Sequence, residues 1–304
     1  MKRIVNSLIF SLLTLLLVGC TGESKYVLQS PDGSLSVKVG QSDKGDLIYR
    51  FYAGDAMVID SSRLGYRLKD GNEFPADGWT VTKEEKTSRD GEWHPVWGKR
   101  SVVPDKYNQL TLLLENKDSQ SGINKLTVEF RLYDDGLAFR YLIPEGVDEA
   151  AECELTQYNY VADPTAWFYN GENANYGPVK LSEVDAVRPS NVTLQVAGDL
   201  FLNVHEACLT EGDPLRLASH KGEHTLSVAS SPGVFGQLKG GFTSAWRVVM
   251  AGKTPGALVD SHLLELLNPD PDPEMDFSWV KPSVAVWDWR IDGAEWDGFT
   301  YSIS

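Results

Sequence analysis

The chain has 304 residues, of which 42% are hydrophobic and nine are tryptophan, enough to bury the core of one large domain or two modest ones. Its formal net charge is −15. Such an acidic protein is not expected to bind nucleic acid, because phosphates attract basic surfaces. The charge is compatible with a neutral sugar or a bound cation as the partner.

The N-terminus has the pattern of a bacterial export signal. Two basic residues precede the apolar run 8–18, which is shorter than the ~20 residues of a membrane span. The run leads into Leu17-Val-Gly-Cys20, which resembles a lipoprotein cleavage box. We therefore expect residues 1–20 to be a lipoprotein signal peptide and Cys20 to be acylated. The protein would then be exported and anchored to a membrane by lipid, as a periplasmic or outer-membrane lipoprotein; an ordinary signal with a chance cysteine is the alternative.

Residues 25–267 are predicted to form a succession of short strands. Period-two alternation of apolar residues recurs between turn dipeptides such as Asp70-Gly71 and Gly240-Gly241, and no segment longer than two turns has helical periodicity. Strands are predicted at residues 35–39, 47–52, 64–68, 110–114, 126–132, 137–143, 191–196, 200–204, 225–228 and 246–250. Many short strands without helices between them favour a mainly β fold, a large antiparallel sandwich.

A proline-rich linker is predicted at residues 268–277. Three prolines alternate in Asn268-Pro-Asp-Pro-Asp-Pro273, and proline cannot donate a ladder hydrogen bond. The linker separates the strand-rich body from the last residues of the chain, 278–304.

Residues 278–304 read as the start of a second domain. The apolar run 284–287 is typical of a buried parallel strand, and Asp288, Trp289 and Arg290 follow at the end where barrel enzymes gather catalytic groups. A (β/α)8 barrel needs roughly 250 residues. We therefore expect this segment to be the first strand of a truncated barrel, and the sequence to be a fragment of a longer protein.

Glu206 is the acidic residue whose position is most unusual. In the strand beginning at Leu200, alternation places it on one face with Leu202 and Val204. An acid on an apolar face must be charge-paired, protonated, bound to a metal, or located at the exposed end of its strand. The residue pattern leaves these four alternatives open. His205-Glu206 is not a zinc-protease motif, because position 209 is leucine.

Several other segments allow two interpretations. The loop Trp93-His-Pro-Val-Trp-Gly-Lys-Arg100 and the segment Trp167-Phe-Tyr-Asn-Gly-Glu172 either present aromatic side chains to a sugar or close the core. Asp134-Asp135-Gly136 is predicted to be a hairpin turn rather than a metal site. Cys153 and Cys208 either form a disulfide in the oxidising compartment or are small buried side chains.

Taken together, the segments in chain order resemble glycoside hydrolase family 97. The resemblance covers nearly the whole mature chain and rests on motifs that occur in the same order as in the family. They are Ser30-Pro-Asp-Gly33, the Trp93 loop with Tyr107-Asn108, Tyr133-Asp-Asp-Gly-Leu-Ala-Phe-Arg-Tyr141, Leu202-Asn-Val-His-Glu-Ala207, Trp246-Arg-Val-Val-Met-Ala-Gly252 and the tail through Trp287-Asp-Trp289. The family comprises exported bacterial α-glucosidases and α-galactosidases. The resemblance implies a galactose-mutarotase-like β-super-sandwich followed by a (β/α)8 barrel and a small β domain.

The resemblance also implies roles for particular residues. Glu206 matches the glutamate that the family's sandwich donates to a calcium ion. Trp287, Asp288 and Trp289 are expected at the sugar-facing edge of the first barrel strand. The catalytic carboxylates of the family lie in later barrel loops, so no catalytic residue is named.

The predicted function is that of the carbohydrate-binding, pocket-forming N-terminal portion of an exported calcium-dependent α-glycosidase. Its partner would be an α-linked oligosaccharide or glycoside, and this chain alone is expected to be inactive. Whether the chain is itself an enzyme is left open. The alternative is a lipid-anchored carbohydrate-binding sandwich that acts on its own.

Overall fold

The computed structural model describes residues 24–96, 98–119, 122–171, 173, 176–230, 236–270, 272–281, 283–284, 295–296 and 299–300. The described part of the chain is mostly β, with 54% of its residues in strands and 5% in helices. Its sheets are large and antiparallel, which confirms the predicted mainly β sandwich.

The strands are numbered in chain order. They are β1 (Ser24–Gln29), β2 (Leu35–Gln41), β3 (Leu47–Ala53), β4 (Ala56–Leu64), β5 (Tyr66–Leu68), β6 (Glu73–Phe74), β7 (Thr80–Trp93), β8 (Val103–Glu115), β9 (Lys125–Tyr133), β10 (Gly136–Leu142), β11 (Asp148–Glu154), β12 (Gln157–Tyr160), β13 (Thr165–Phe168), β14 (Tyr176–Lys180), β15 (Ala186–Pro189), β16 (Val192–Ala197), β17 (Leu200–Ala207), β18 (Arg216–Ser219), β19 (Thr225–Val228), β20 (Gln237–Lys239), β21 (Trp246–Gly252), β22 (Glu295–Trp296) and β23 (Phe299–Thr300). The helices are a 3₁₀ turn at Leu181–Glu183, α1 (Pro255–Asp260) and α2 (Leu263–Leu266).

Two large sheets and one small sheet build the sandwich. The nine-stranded sheet has the order β14-β13-β16-β17-β21-β10-β9-β8-β7, and the eight-stranded sheet has the order β1-β2-β3-β4-β12-β19-β18-β15. A four-stranded sheet, β20-β11-β5-β6, contributes side chains to the same core.

Alternation along the strands puts one face of each sheet into the common core. In β9, for example, Val128, Phe130 and Leu132 are fully buried and the residues between them are partly exposed. Aromatic rings join the sheets across the core: the Tyr49 and Phe139 centroids are 5.3 Å apart, and tilted packing of this kind adds to the energy of burial.

The two short helices cover the outer face of the nine-stranded sheet at β17 and β21. Trp246, Val248 and Met250 of β21 pack there with Leu258 of α1 and Leu263 of α2. Because successive residues of β21 point to opposite faces, this packing turns the alternate residues, including position 247, toward the interior of the sandwich.

One predicted strand, residues 64–68, is interrupted. The structure ends β4 at Leu64 and begins β5 at Tyr66, because Gly65 has φ +131° and a Cβ there would collide with the Phe74 carbonyl oxygen. The other predicted runs each fall within a strand, give or take a residue at the ends. Strand β7 was not predicted, because both its faces are exposed and it has no apolar alternation.

The chain divides into two compact units, through Asn268 and from Pro269 onward. In the second unit the described residues include a short antiparallel pair, β22 and β23. The predicted barrel strand, 284–287, lies outside the described residues except for Val284. Within the described part of the chain, the helices are too short to cross a bilayer.

Candidate functional site

Glu206 lies near the end of β17, on the face that points into the sandwich. Leu202 and Val204, on the same face, are fully buried in the main core. The side chain of Glu206 is itself only 13% exposed. The sequence therefore predicted its face correctly, and the structure shows what accompanies this carboxylate.

The carboxylate of Glu206 accepts hydrogen bonds from two groups. The backbone N–H of Leu215 donates to both oxygens, at 2.9 Å to Oε1 and 3.0 Å to Oε2. Nη1 of Arg247 donates to Oε2 at 3.2 Å. The two side chains meet because Glu206 and Arg247 are directly opposite in the register of β17 and β21. Of the alternatives that the sequence left open, the structure shows a charge-paired acid.

Arg247 is held more closely by a second acid, Glu154. The guanidinium donates from Nε to Oε1 at 3.0 Å and to Oε2 at 3.2 Å, and from Nη2 to Oε2 at 2.6 Å. Both side chains are 6% exposed. Burial by itself lowers the pKa of Arg247, but the attraction of Glu154 outweighs it and the pKa lies above its usual value. Glu154 ends β11 of the four-stranded sheet, so the pair joins two sheets.

A chain of hydroxyl groups continues from Glu154 into the core. Thr156 donates to Glu154 Oε1 at 2.6 Å, and its hydroxyl is also 2.6 Å from that of Tyr141. The backbone N–H of Gly65 donates to the Tyr141 hydroxyl at 3.2 Å. Burial, reinforced by Glu154, raises the pKa of Tyr141 well above its usual value, so this phenol stays neutral.

We call Glu154, Arg247 and Glu206 the triad. Its two carboxylates and one guanidinium leave one net negative charge in a partly closed environment. Glu154 and Arg247 line a depression to which Glu152, Glu211 and Asp213 also contribute. The acidic side chains that line the depression therefore outnumber its one arginine.

The family resemblance implies calcium at Glu206, and the donor chemistry of this residue fits a hard cation. A carboxylate offers about four acceptor positions, and the contacts from Leu215 and Arg247 leave Oε1 the less engaged oxygen. Among the described residues, no group of three or more His, Cys, Asp and Glu side chains is placed to hold a metal ion. Glu206 thus fits as one oxygen ligand, not as a complete site.

Four other site residues were predicted from the sequence. Cys20, Trp287, Asp288 and Trp289 all lie outside the described residues.

Of the two alternatives for the cysteines, the structure shows no disulfide. Cys153 and Cys208 are both free and half-buried. Burial raises the pKa of the Cys153 thiol, which lines the acidic depression beside the triad. Cys208 packs beside the outer hydrophobic cluster as a small apolar side chain.

The Trp93 loop continues the β7–β8 hairpin and contacts the helical segment. The Trp93 and His262 rings are 6.2 Å apart, Lys99 Nζ donates to the Val259 carbonyl oxygen, and Arg100 forms an ion pair of 2.9 Å with Asp260. These contacts favour the covering role over sugar presentation.

Asp134 and Asp135 form the turn between β9 and β10, as predicted. In the second aromatic segment, Trp167 and Phe168 belong to β13, and Phe168 is buried in the core. Tyr169, the next residue, is 46% exposed.

Sequence reasoning missed Arg247, Glu154 and Thr156. An arginine within the apolar run of β21 was a usable signal, because a buried guanidinium needs an acidic partner. Its partner was not predictable, since Glu154 is 93 residues away in the chain and belongs to another sheet.

Similarity to known proteins extends over most of the chain. Residues 28–269 match the family model described as Glycosyl-hydrolase 97 N-terminal. The chain belongs to glycoside hydrolase family 97. It is 25% identical over 341 residues to a retaining alpha-galactosidase of Bacteroides thetaiotaomicron VPI-5482, a match that covers 97% of this chain and 49% of the relative. The chain thus spans about half the length of this curated relative.

Solved structures share the sandwich fold. A family 97 enzyme from Pseudoalteromonas sp. strain K8, solved with panose and with acarbose, matches with a TM-score of 0.74 and 24% identity over 84% of this chain and 40% of that chain. A beta-arabinopyranosidase matches with a TM-score of 0.66 and 19% identity over 76% of this chain and 40% of that one. The resemblance predicted from the sequence motifs is confirmed.

Proposed function

We propose that this chain is the carbohydrate-binding, pocket-forming portion of an exported, calcium-dependent α-glycosidase. The observation that carries the proposal is the triad in a family 97 N-terminal region. A glutamate near the end of its strand is held by Leu215 and Arg247, and its Oε1 accepts one hydrogen bond where Oε2 accepts two. Such an oxygen is the kind of ligand that Ca²⁺ prefers.

The relatives support a proposal for the substrate class. One is a retaining alpha-galactosidase, and another was solved with panose and with acarbose. We therefore propose an α-linked oligosaccharide or glycoside as the partner. We propose that residues 25–267 form the sandwich, residues 268–277 a linker, and residues 278–304 the start of a barrel whose Trp287, Asp288 and Trp289 contact the sugar.

In this proposal the sandwich contributes binding and positioning. Glu206 would be one oxygen ligand of the calcium ion, and the ion would supply fixed positive charge beside the sugar. The proposal assigns no catalytic carboxylate to this chain. We therefore expect the chain to bind sugar without hydrolysing it. Export and membrane anchoring through Cys20 are proposed from the N-terminal pattern alone.

The deciding experiment for the metal is a cation titration of the purified protein without residues 1–20. Tb³⁺ luminescence, excited through nearby aromatic rings, reports binding, and competition with Ca²⁺ gives the calcium affinity. We expect weak binding that Glu206→Gln lowers by at least about tenfold, whereas Glu129→Gln, a partly buried glutamate paired with Arg140, leaves it unchanged. Calcium binding that is insensitive to Glu206→Gln would contradict the assigned ligand.

The substrate proposal is tested separately. Ligand-observed NMR with panose and with methyl α-galactoside should show binding to the same protein. Incubation with p-nitrophenyl α-glucoside and α-galactoside should release no nitrophenol. Rapid release of nitrophenol would show that the chain is catalytically complete, and binding of neither sugar would remove the carbohydrate role.

A further inference from the structure

We propose that Glu154 and Arg247 set the cation affinity of Glu206 in opposite directions, although neither is a cation ligand. The inference rests on the proposed calcium role of Glu206. It adds that two further residues, one on the neighbouring strand and one on another sheet, adjust the affinity of Glu206 for the cation. Arg247 lowers the affinity, and Glu154 restores it by neutralising Arg247. The charges of the triad therefore determine how strongly Glu206 binds a cation.

Arg247 is placed to oppose a cation. Its guanidinium lies 3.2 Å from Glu206 Oε2, so an ion on the other oxygen of the same carboxylate experiences a full positive charge nearby. The side chain is only 6% exposed, and buried charges are screened by salt much less than surface charges. Arg247 also competes directly for the lone pairs of Glu206.

Glu154 is placed to cancel that effect. It binds Nε and Nη2 of the guanidinium, whereas Glu206 binds Nη1, and its contacts are 2.6 to 3.2 Å long. Its own oxygens are engaged, because Thr156 also donates to Oε1. Glu154 therefore affects the cation only electrostatically and by keeping Arg247 in place through their ion pair. It is a positioning residue.

Substitutions of the two residues should change the cation affinity in opposite directions, which a purely structural role would not produce. Glu154→Gln keeps the shape of the side chain and removes a negative charge, so cation affinity should fall. Arg247→Gln removes a positive charge, so affinity should rise. If both residues only maintained the fold around Glu206, both substitutions would lower the affinity.

The test compares Tb³⁺ and Ca²⁺ dissociation constants of four proteins at low and moderate salt: the wild type, the two single variants and the double variant. Relative to wild type, we expect the dissociation constant to increase on the order of tenfold in Glu154→Gln and to decrease on the order of tenfold in Arg247→Gln. In the double variant the net charge of the triad returns to its wild-type value, so affinity should return to within about threefold of wild type.

Folding of the single arginine variant is the main experimental risk, because it leaves Glu154 buried without its partner. The double variant removes that unpaired charge. Glu154→Gln together with the double variant then decides the question: a loss in the single variant that the double variant reverses supports the proposal. A double variant that binds as weakly as Glu154→Gln, or more weakly, overturns it.

Glu129 and Arg140 provide a matched control. They form an ion pair of 2.7 Å between neighbouring strands of the same sheet, and its side chains are 15% and 23% exposed. Glu129→Gln and Arg140→Gln should each change the dissociation constant less than about twofold. If Glu206→Gln has no effect in wild type, the calcium proposal itself fails. If Glu206 matters but the two triad substitutions act in the same direction, only the present inference fails.

Discussion

Glu206 and Arg247 lie directly opposite each other on neighbouring strands, with Arg247 Nη1 3.2 Å from Glu206 Oε2. The strand register thus places a basic side chain beside an acid that would otherwise be buried alone among leucine and valine. Because Arg247 also binds Glu154, this contact ties the nine-stranded sheet to the four-stranded sheet. The same geometry governs stability and the proposed cation site.

The first prediction concerns the stability of the triad. Arg247→Met preserves bulk but leaves the carboxylates of Glu154 and Glu206 without their shared counter-ion. Breaking a buried pair in this way costs about 3–5 kcal/mol. Urea unfolding followed by tryptophan fluorescence should show that loss, and Arg140→Met, from a more exposed pair, should cost about 1 kcal/mol. Equal losses in the two variants would show that burial of the triad adds nothing.

The second prediction concerns the buried hydroxyl chain. Tyr141→Phe removes the acceptor of the Gly65 N–H and the partner of the Thr156 hydroxyl, so two buried polar groups lose a hydrogen bond. We expect a loss of about 1–3 kcal/mol in the free energy of unfolding. Tyr160→Phe is the control, because the hydroxyl of Tyr160 is buried without a hydrogen bond to any described residue. Its removal should be neutral or stabilising.

The third prediction concerns the break between β4 and β5. Gly65→Ala places a methyl group against the Phe74 carbonyl oxygen at a φ of +131°, and should cost at least about 2 kcal/mol. Gly54 has a φ of +56°, and a methyl group added there would meet nothing within 4 Å. Gly54→Ala should therefore cost only about 1 kcal/mol. Thermal unfolding by circular dichroism distinguishes the two variants.

The fourth prediction concerns acid unfolding. Burial acts to raise the pKa of Glu73, but hydrogen bonds from Arg63 at 2.6 Å and Arg67 at 2.8 Å outweigh it, so the pKa lies below its ordinary value of 4.5. A lowered pKa in the folded state contributes stability that is present above pH 4.5 and lost as the pH falls through the folded-state pKa.

Urea unfolding of the wild type and of Glu73→Gln across the acidic range tests this contribution. The wild type should be the more stable protein at neutral pH, and the difference should shrink below pH 4.5. Glu84→Gln, an exposed control on β7, should follow the wild-type curve. A stability difference that stays constant as the pH falls would rule out this linkage.

The strands could be predicted where one face is buried. Residues 126–132 alternate because Val128, Phe130 and Leu132 enter the core, and the same pattern predicted the face of Glu206. Strand β7 has no such pattern, since its pairing with β8 and not its burial keeps it extended. The break at Gly65 depends on the close approach of Phe74, which is invisible in a local pattern.

The sequence by itself determined the fold class and the family motifs. It also placed Glu206 on an apolar face and left four environments possible for it, because period-two alternation and the cost of burying an acid are local properties. Only the tertiary structure decided which partner it has. Arg247 and Glu154 come from separate strands and two different sheets, and their meeting depends on strand register and sheet packing, which are set by long-range contacts across the whole core.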